Sequence, residues 1–260
     1  MSLQILDQIL KNGKGLLLAY DHGFEHGPTD FDERSVDPAW VMEIANSGFF
    51  TGVICQKGIA AKYYNTDKDK ENKKAPLIVK LNGKTAFQED KEPISLQNCS
   101  VDEAIELGAV GVGYTIYVGS KHEEQMIQEF SKIEEEAHKK GLAVIGWMYL
   151  RGECVDKDTD KEAYAARLGL ELNCDGVKVK YTGDVESFKK VVAAAGKTKV
   201  FVAGGPKLDI DKDTDTETGI YQMAKEVIEA GAAGLAVGRN IWQAKEPIEV
   251  AKKLAEIIYT

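Results

Sequence analysis

Lys140-Gly-Leu-Ala-Val-Ile-Gly-Trp-Met-Tyr149 joins the two halves of a repeating unit. It follows the amphipathic segment Glu123–Lys140, and Gly141 is a helix-ending glycine, the residue that best tolerates a left-handed C-cap. The run Ala143–Tyr149 is then apolar without polar alternation, the pattern of a strand buried on both faces, as in parallel sheets. The same passage from helix to strand recurs at Leu107-Gly-Ala109 and Ala230-Gly-Ala232.

Working outward, eight such runs are found: Gly15–Tyr20, Phe50–Cys55, Pro76–Leu81, Val110–Tyr114, Ala143–Tyr149, Gly176–Tyr181, Val200–Ala203 and Gly234–Val237. Their starts are separated by about one strand, one helix and two loops. Helical segments fill the intervals at Val101–Leu107, Glu123–Lys140, Lys161–Leu172, Val185–Ala194, Gly219–Ala230 and Ile248–Ile258. Two charged stretches without apolar anchors, Asn65–Lys74 and Asp209–Glu217, read as surface connections. Consecutive βα units with no linker predict an α/β protein, a (β/α)8 TIM barrel formed by residues 1–260 as one domain. A doubly wound open sheet is the rival, but it wants a glycine-rich GxGxxG turn after the first strand, where this chain has Asp21-His22-Gly23.

The 260 residues are 43% hydrophobic and 29% charged, the balance of a soluble globular protein. A net charge of −9 argues against a nucleic-acid partner while leaving room for a locally positive pocket. Cys55, Cys99, Cys154 and Cys174 are scattered without zinc-ligand spacing and suit free thiols in a reducing compartment. No run is long enough for a membrane span and no signal-peptide pattern opens the chain, so no membrane partner and a cytoplasmic location are expected.

Barrel chemistry collects at the C-terminal ends of the strands. The sixth run, Asp175-Gly-Val-Lys-Val-Lys-Tyr-Thr-Gly-Asp184, carries Lys178 and Lys180 two residues apart and therefore on one face. Burying two ammonium groups together favours one neutral amine, a nucleophile toward carbonyl carbon. The plainer reading is an exposed strand end that binds an anion. After the first run, Tyr20-Asp-His-Gly-Phe-Glu-His-Gly-Pro28 gathers His22, Glu25 and His26 at spacings a metal tolerates, yet nothing nearby completes a ligand set, so no metal is expected; Asp21 is the functional candidate. The fifth run ends with Trp147 and Tyr149 on one face, followed by Arg151. The aromatics fit a barrel plug or, for Tyr149, proton transfer, and Arg151 can hold an anion. Ala203-Gly-Gly-Pro-Lys207 and Val237-Gly-Arg-Asn240 end the last two runs, where barrels commonly bind phosphate. Lys57 and Lys80 also lie at strand ends, and Lys80, deeper in its strand, leans toward the pocket. A lysine, a phosphate cup, an aspartate and a tyrosine together suit imine chemistry on a phosphorylated ketone or aldehyde.

With those residues in place, the chain resembles the archaeal-type class I fructose-1,6-bisphosphate aldolases, grouped with the DhnA-like aldolases. The resemblance rests on YDHGFEHGP (20–28), WMYLRG (147–152), DGVKVKYTGD (175–184), AGGPK (203–207) and AVGRN (236–240), in order over nearly the whole chain. It implies a lyase of glycolysis and gluconeogenesis that cleaves fructose 1,6-bisphosphate, or condenses its two halves, through a covalent imine on Lys178 with no other cofactor. It further implies Asp21 as an active-site acid, Tyr149 as proton donor and acceptor at C3, Trp147 as an aromatic wall, and Lys180 as a partner that tunes Lys178 by repulsion. Gly204, Gly205, Gly238 and Arg239 are implied to hold the C1 phosphate. Family members tend to be homo-oligomers. Leu150 departs from the family's usual proline, which removes a backbone restraint beside Arg151 and bears on the second phosphate. Alternatives are a sister imine-forming aldolase or transaldolase on another ketose phosphate, including an early aromatic-amino-acid precursor synthase, and a non-catalytic sugar-phosphate sensor.

Overall fold

The eight runs form eight parallel strands: β1 (Gly15–Tyr20), β2 (Gly52–Gln56), β3 (Leu77–Lys80), β4 (Ala109–Val118), β5 (Ala143–Leu150), β6 (Gly176–Val179), β7 (Lys199–Ala203) and β8 (Gly234–Val237). They pair in chain order, and β8 pairs with β1, so the sheet closes on itself. This is the (β/α)8 barrel expected from the sequence. The computed structural model describes residues 5–27, 30–64, 74–88, 91–153, 155, 159–205 and 216–260.

Helices cover the barrel: α1 (Pro38–Ala45), α2 (Val101–Glu106), α3 (Glu123–Lys139), α4 (Thr159–Glu171), α5 (Val185–Ala195), α6 (Thr216–Glu229) and α7 (Pro247–Tyr259). Their starts carry the expected chemistry. Asp37, Ser100 and Asp184 each accept a hydrogen bond from a backbone N–H of the first turn, and proline opens α1 and α7. Gly108, Gly141 and Gly231, the glycines read as helix stops, have φ of 85°, 78° and 96°. Residues 65–73 and 209–215 of the two charged stretches lie outside the described residues.

Alternation along the strands makes two apolar layers. Leu17, Ile54, Ile78, Ile145, Phe201 and Ala236 fill the barrel interior, joined by Leu6 and Ile9 from the N-terminal segment. Leu16, Val53, Val79, Val144, Val177 and Val202 face outward against the helices. Fully burying an aliphatic side chain of this size contributes about 1.5–3 kcal/mol. Toward the C-terminal strand ends the interior changes character, because Lys80 and Lys178 succeed Ile78 and Gly176 on the same face.

Two strand lengths differ from expectation. β4 runs on to Val118, four residues past Tyr114, and β6 stops at Val179, two short of Tyr181. Both differences bear on the site.

Candidate active site

Lys178 lies one residue from the end of β6, in register with Trp147 on β5 and Phe201 on β7. Its side chain is 5% exposed, and Nζ sits 5.4 Å from the centroid of the Trp147 ring. Among the described residues no hydrogen bond or ion pair occupies that nitrogen. The indole beside it has room because β4 carries glycine at 113, where a Cβ would lie 1.9 Å from the ring. Burial lowers the Lys178 pKa; Asp21 and Glu25 pull it up, Lys80 and Arg239 push it down, and the net direction is down. That direction favours the neutral, nucleophilic amine relative to an exposed lysine.

The companion charge is not the expected one. Lys180 lies beyond the end of β6, and its side chain is exposed. Its backbone N–H donates to Glu162 Oε1 at 2.6 Å, which turns the chain out of the strand, so period-2 alternation no longer governs the side chain. The pairing of Lys178 with Lys180 as two buried amines is therefore corrected: Lys180 reaches only the cavity lining, and the ammonium beside Lys178 belongs to Lys80 on β3.

Lys80 is 2% exposed. Its Nζ lies 3.2 Å from Asp21 Oδ2 and is hydrogen-bonded to Glu25 Oε1. Asp21 directly follows β1 and sits at the N-cap of the short helix His22–His26, yet its side chain makes no capping bond. It is thus left to face the barrel. Burial would raise the Asp21 pKa, but the charges of Lys80 and Lys178, with the hydrogen bond from Lys80, hold it well below the ordinary carboxylate range. Burial would likewise lower Lys80, and the carboxylates of Glu25 and Asp21 hold it above the ordinary lysine value. Glu25 also accepts a 3.4 Å hydrogen bond from the Tyr117 hydroxyl on β4. Lys57, by contrast, pairs with Glu103 at 3.0 Å, away from the cavity.

Tyr149 stands opposite Tyr117 across the β5–β4 ladder. Burial, with the charges of Asp21 and Glu25, raises its pKa well above the ordinary value and keeps a proton on the phenol. His22 is pushed down to about 3, mainly by burial, so its ring is neutral. Among the described residues no group of three or more His, Cys, Asp or Glu side chains is arranged to hold a metal ion. The His22, Glu25 and His26 cluster instead divides: Glu25 goes to Lys80, and His26 Nδ1 lies 3.1 Å from Asp30.

The glycine turns close the other side. Gly205 has φ of 69°, and a Cβ on Gly238 would lie 2.5 Å from the Ala19 carbonyl oxygen. Asn240 Nδ2 donates to the Gly204 carbonyl at 2.7 Å, joining the two turns. Arg239 Nη1 pairs with Asp30 at 3.1 Å, Nη2 donates to the Gly205 carbonyl at 3.4 Å, and buried Nε has no partner. Pro206 and Lys207 of this motif lie outside the described residues. Arg151 Nη1 donates to the Leu150 carbonyl at 2.9 Å, and Arg151 N–H to Val118 at 3.0 Å. Leu150 lies opposite Val118 in the β5–β4 ladder, and the N–H that reaches the Val118 carbonyl there is that of Arg151, so the ladder itself requires no donor at position 150.

These side chains and turns line one cavity of about 1400 Å³ at the C-terminal ends of the strands. It brings together Lys178, Tyr149, Asp21, Trp147, Arg151, Lys180, Gly204, Gly205, Gly238 and Arg239. It can offer a nucleophilic amine, a fixed carboxylate, a phenolic proton and a cationic glycine-rich cup. Sequence reading missed the Glu25 contact with Lys80 and overlooked Tyr117. The signal was available in the second case, since Thr115-Ile-Tyr-Val118 continues the apolar run.

Residues 16–244 match the model of the DeoC/LacD family aldolases. The chain is 46% identical to a fructose-bisphosphate aldolase class 1 of Thermoproteus tenax, over 96% of this chain and 91% of that one. It is 35% identical to a Methanocaldococcus jannaschii protein named fructose-bisphosphate aldolase/6-deoxy-5-ketofructose 1-phosphate synthase, over 98% of this chain and 83% of that one. Among solved structures, it superposes with a TM-score of 0.91 and 44% identity, covering 100% of both chains, on an archaeal fructose-1,6-bisphosphate aldolase with its catalytic lysine covalently bound to the carbinolamine intermediate of the substrate.

Proposed function

The chain belongs to the DeoC/LacD family of aldolases, and on that footing we propose that it is a class I aldolase that cleaves fructose 1,6-bisphosphate to dihydroxyacetone phosphate and glyceraldehyde 3-phosphate and runs the reverse condensation. The observation that carries the reading is Lys178: a buried lysine of lowered pKa, without a hydrogen-bonding partner among the described residues, in the cavity that also holds the glycine turns.

In this proposal the neutral Lys178 amine adds to the C2 ketone of the open-chain sugar. The carbinolamine loses water to give a protonated imine, an electron sink. The Asp21 carboxylate takes the C4 hydroxyl proton, directly or through a water, and the C3–C4 electron pair passes into the iminium as the aldehyde leaves. Tyr149 protonates the enamine at C3, the phenolate formed is reprotonated from Asp21 or solvent, and hydrolysis frees the second product and the amine. Trp147 walls the amine. Gly204, Gly205, Gly238 and Arg239 take the C1 phosphate, with the unpartnered Arg239 Nε supporting that role. Arg151 serves the second phosphate, and Lys180 contributes charge at the rim. The iminium supplies the electron withdrawal, so the reading includes no resident metal or other cofactor, and EDTA is expected to leave turnover unchanged.

A substrate panel tests the activity. Efficient cleavage of fructose 1,6-bisphosphate supports the proposal; cleavage confined to another ketose phosphate contradicts it and favours a sister reaction such as that in the name of the Methanocaldococcus protein. A cytoplasmic homo-oligomer belongs to the same proposal. No helix of the described residues is long and apolar enough to cross a membrane. Light scattering that gives a monomer at working concentration would remove the oligomer.

A further inference from the structure

A salt-bridged lysine at the centre of a barrel needs a reason to be there. Desolvating an ammonium and two carboxylates is expensive, and apolar residues of similar volume often fill such a space more favourably. Lys80 nevertheless occupies the interior face of β3, directly above Ile78, and is held by Asp21 and Glu25. Those carboxylates come from the end of β1 and from the turn after it, two places that nothing else among the described residues ties to β3 by an ion pair.

We infer that Lys80 is a positioning residue for the proposed cleavage: its buried ammonium holds the Asp21 and Glu25 carboxylates and offsets their charge beside the Lys178 amine. The inference rests on Lys178 being the imine-forming lysine. Asp21 and Glu25 both draw a proton toward Lys178, whereas Lys80 and Arg239 oppose it. Arg239 is itself paired with Asp30, so Lys80 is the cation in contact with both of the carboxylates that act on Lys178. Without it, two uncompensated carboxylates would face Lys178 and favour the ammonium form, which cannot attack a ketone. Asp21 would also lose the partner that holds it ionised and aimed into the barrel.

The groups that face this cluster come from around the barrel: Asp21, His22 and Glu25 at the end of β1, Cys55 on β2, Tyr117 on β4, Tyr149 on β5, Lys178 on β6 and Arg239 after β8. His22 is neutral, and burial raises both tyrosines and Cys55, so none of these four changes charge near neutrality. The pH limb of imine formation therefore reports Lys178 and the charges around it.

The test is reductive trapping with fructose 1,6-bisphosphate across a pH series, with the label at each lysine measured by peptide mass spectrometry. Lys80→Met is expected to move the rise in Lys178 labelling to higher pH, with about tenfold less label per pH unit of displacement below the limb. Glu25→Gln, which removes a carboxylate and leaves Lys80, is expected to move it to lower pH. Lys80→Arg is expected to stay near wild type. Opposite displacement by two partners of one ion pair is not what a merely structural role produces, and Glu25→Gln decides the matter if Lys80→Met does not fold. Coincident limbs in wild type, Glu25→Gln and any folded Lys80→Met, or displacement of both variants in one direction, would overturn the inference and leave the proposed function standing. Absence of label at Lys178 in the wild-type protein would instead sink the proposed function itself.

Discussion

At the scale of single residues, Lys178 and Lys180 show why spacing alone is an incomplete guide. The two are identical in type and two apart, so they share a face for as long as the strand lasts. The strand ends between them, and Glu162 takes the Lys180 N–H. Lys178 is left in the interior while Lys180 turns out. The buried second lysine, Lys80, was visible as a strand-end candidate, but its ion pairs with Asp21 and Glu25 join residues from different strands and no local pattern announces them. Two outcomes are expected here. Lys178→Met abolishes reductive trapping with substrate and lowers cleavage at least ~10³-fold, since removing the nucleophile removes the step that makes the electron sink. Tyr149→Phe retains trapping at Lys178 but slows turnover by about 10²–10⁴-fold, the usual range for loss of a positioned acid or base; single-turnover kinetics with quantified adduct separates the two.

At the scale of elements, the strands were the most legible part of the chain, because a run buried on both faces needs apolar residues throughout. The helix-ending glycines at 108, 141 and 231 were equally legible, since only their backbone mattered. The helix His22–His26 and α1 were not read: the first is one turn long and rich in histidine and glycine, and the second is only eight residues. Gly113 shows how one element shapes another. A methyl group there would meet Trp147 ring carbons at 1.9 and 2.0 Å. Gly113→Ala is expected to displace the indole from Lys178, to destabilise the protein by about 1–3 kcal/mol by overpacking, and to lower turnover. Thermal unfolding together with Trp fluorescence checks this.

His138 on α3 ties that helix to the entry of two strands. Its Nε2 lies 2.9 Å from Asp175 Oδ2, ahead of β6, and its Nδ1 2.6 Å from Glu134 Oε1. The same Asp175 oxygen accepts the Val144 N–H of β5 at 2.9 Å. The hydrogen bond to Asp175, with the nearby carboxylate charges, raises the His138 pKa against the opposing effect of burial. A raised folded-state value means the contribution is full below the unfolded pKa of about 6.5 and is lost as pH climbs through the folded value. His138→Gln is therefore expected to lose on the order of 1 kcal/mol more stability just below that window than well above it. Denaturant titrations at the two pH values measure the difference, and an equal loss at both would show that charge on the imidazole does not contribute.

At the scale of the whole molecule, a chain of net charge −9 encloses a cavity lined by Lys80, Lys84, Lys91, Arg151, Lys178, Lys180 and Arg239 against Asp21, Glu25, Asp30 and Glu153. The overall charge said nothing about this excess, because it emerges only when eight strand ends converge. The barrel was legible from the eightfold repeat; the composition of its mouth was legible only where motifs marked it. A local positive field in an acidic protein steers anions and is screened over about 10 Å at 0.1 M salt. Added salt is expected to raise the KM for a bisphosphate substrate more than it changes kcat, and a salt-independent KM would argue against steering.

The most direct measurement is peptide mass spectrometry of the protein after borohydride reduction in the presence of dihydroxyacetone phosphate. The expected result is one modified peptide, carrying the reduced triose phosphate on Lys178. An unmodified protein that still cleaves the sugar, or an adduct on Lys80 or Lys180 in its place, would contradict it.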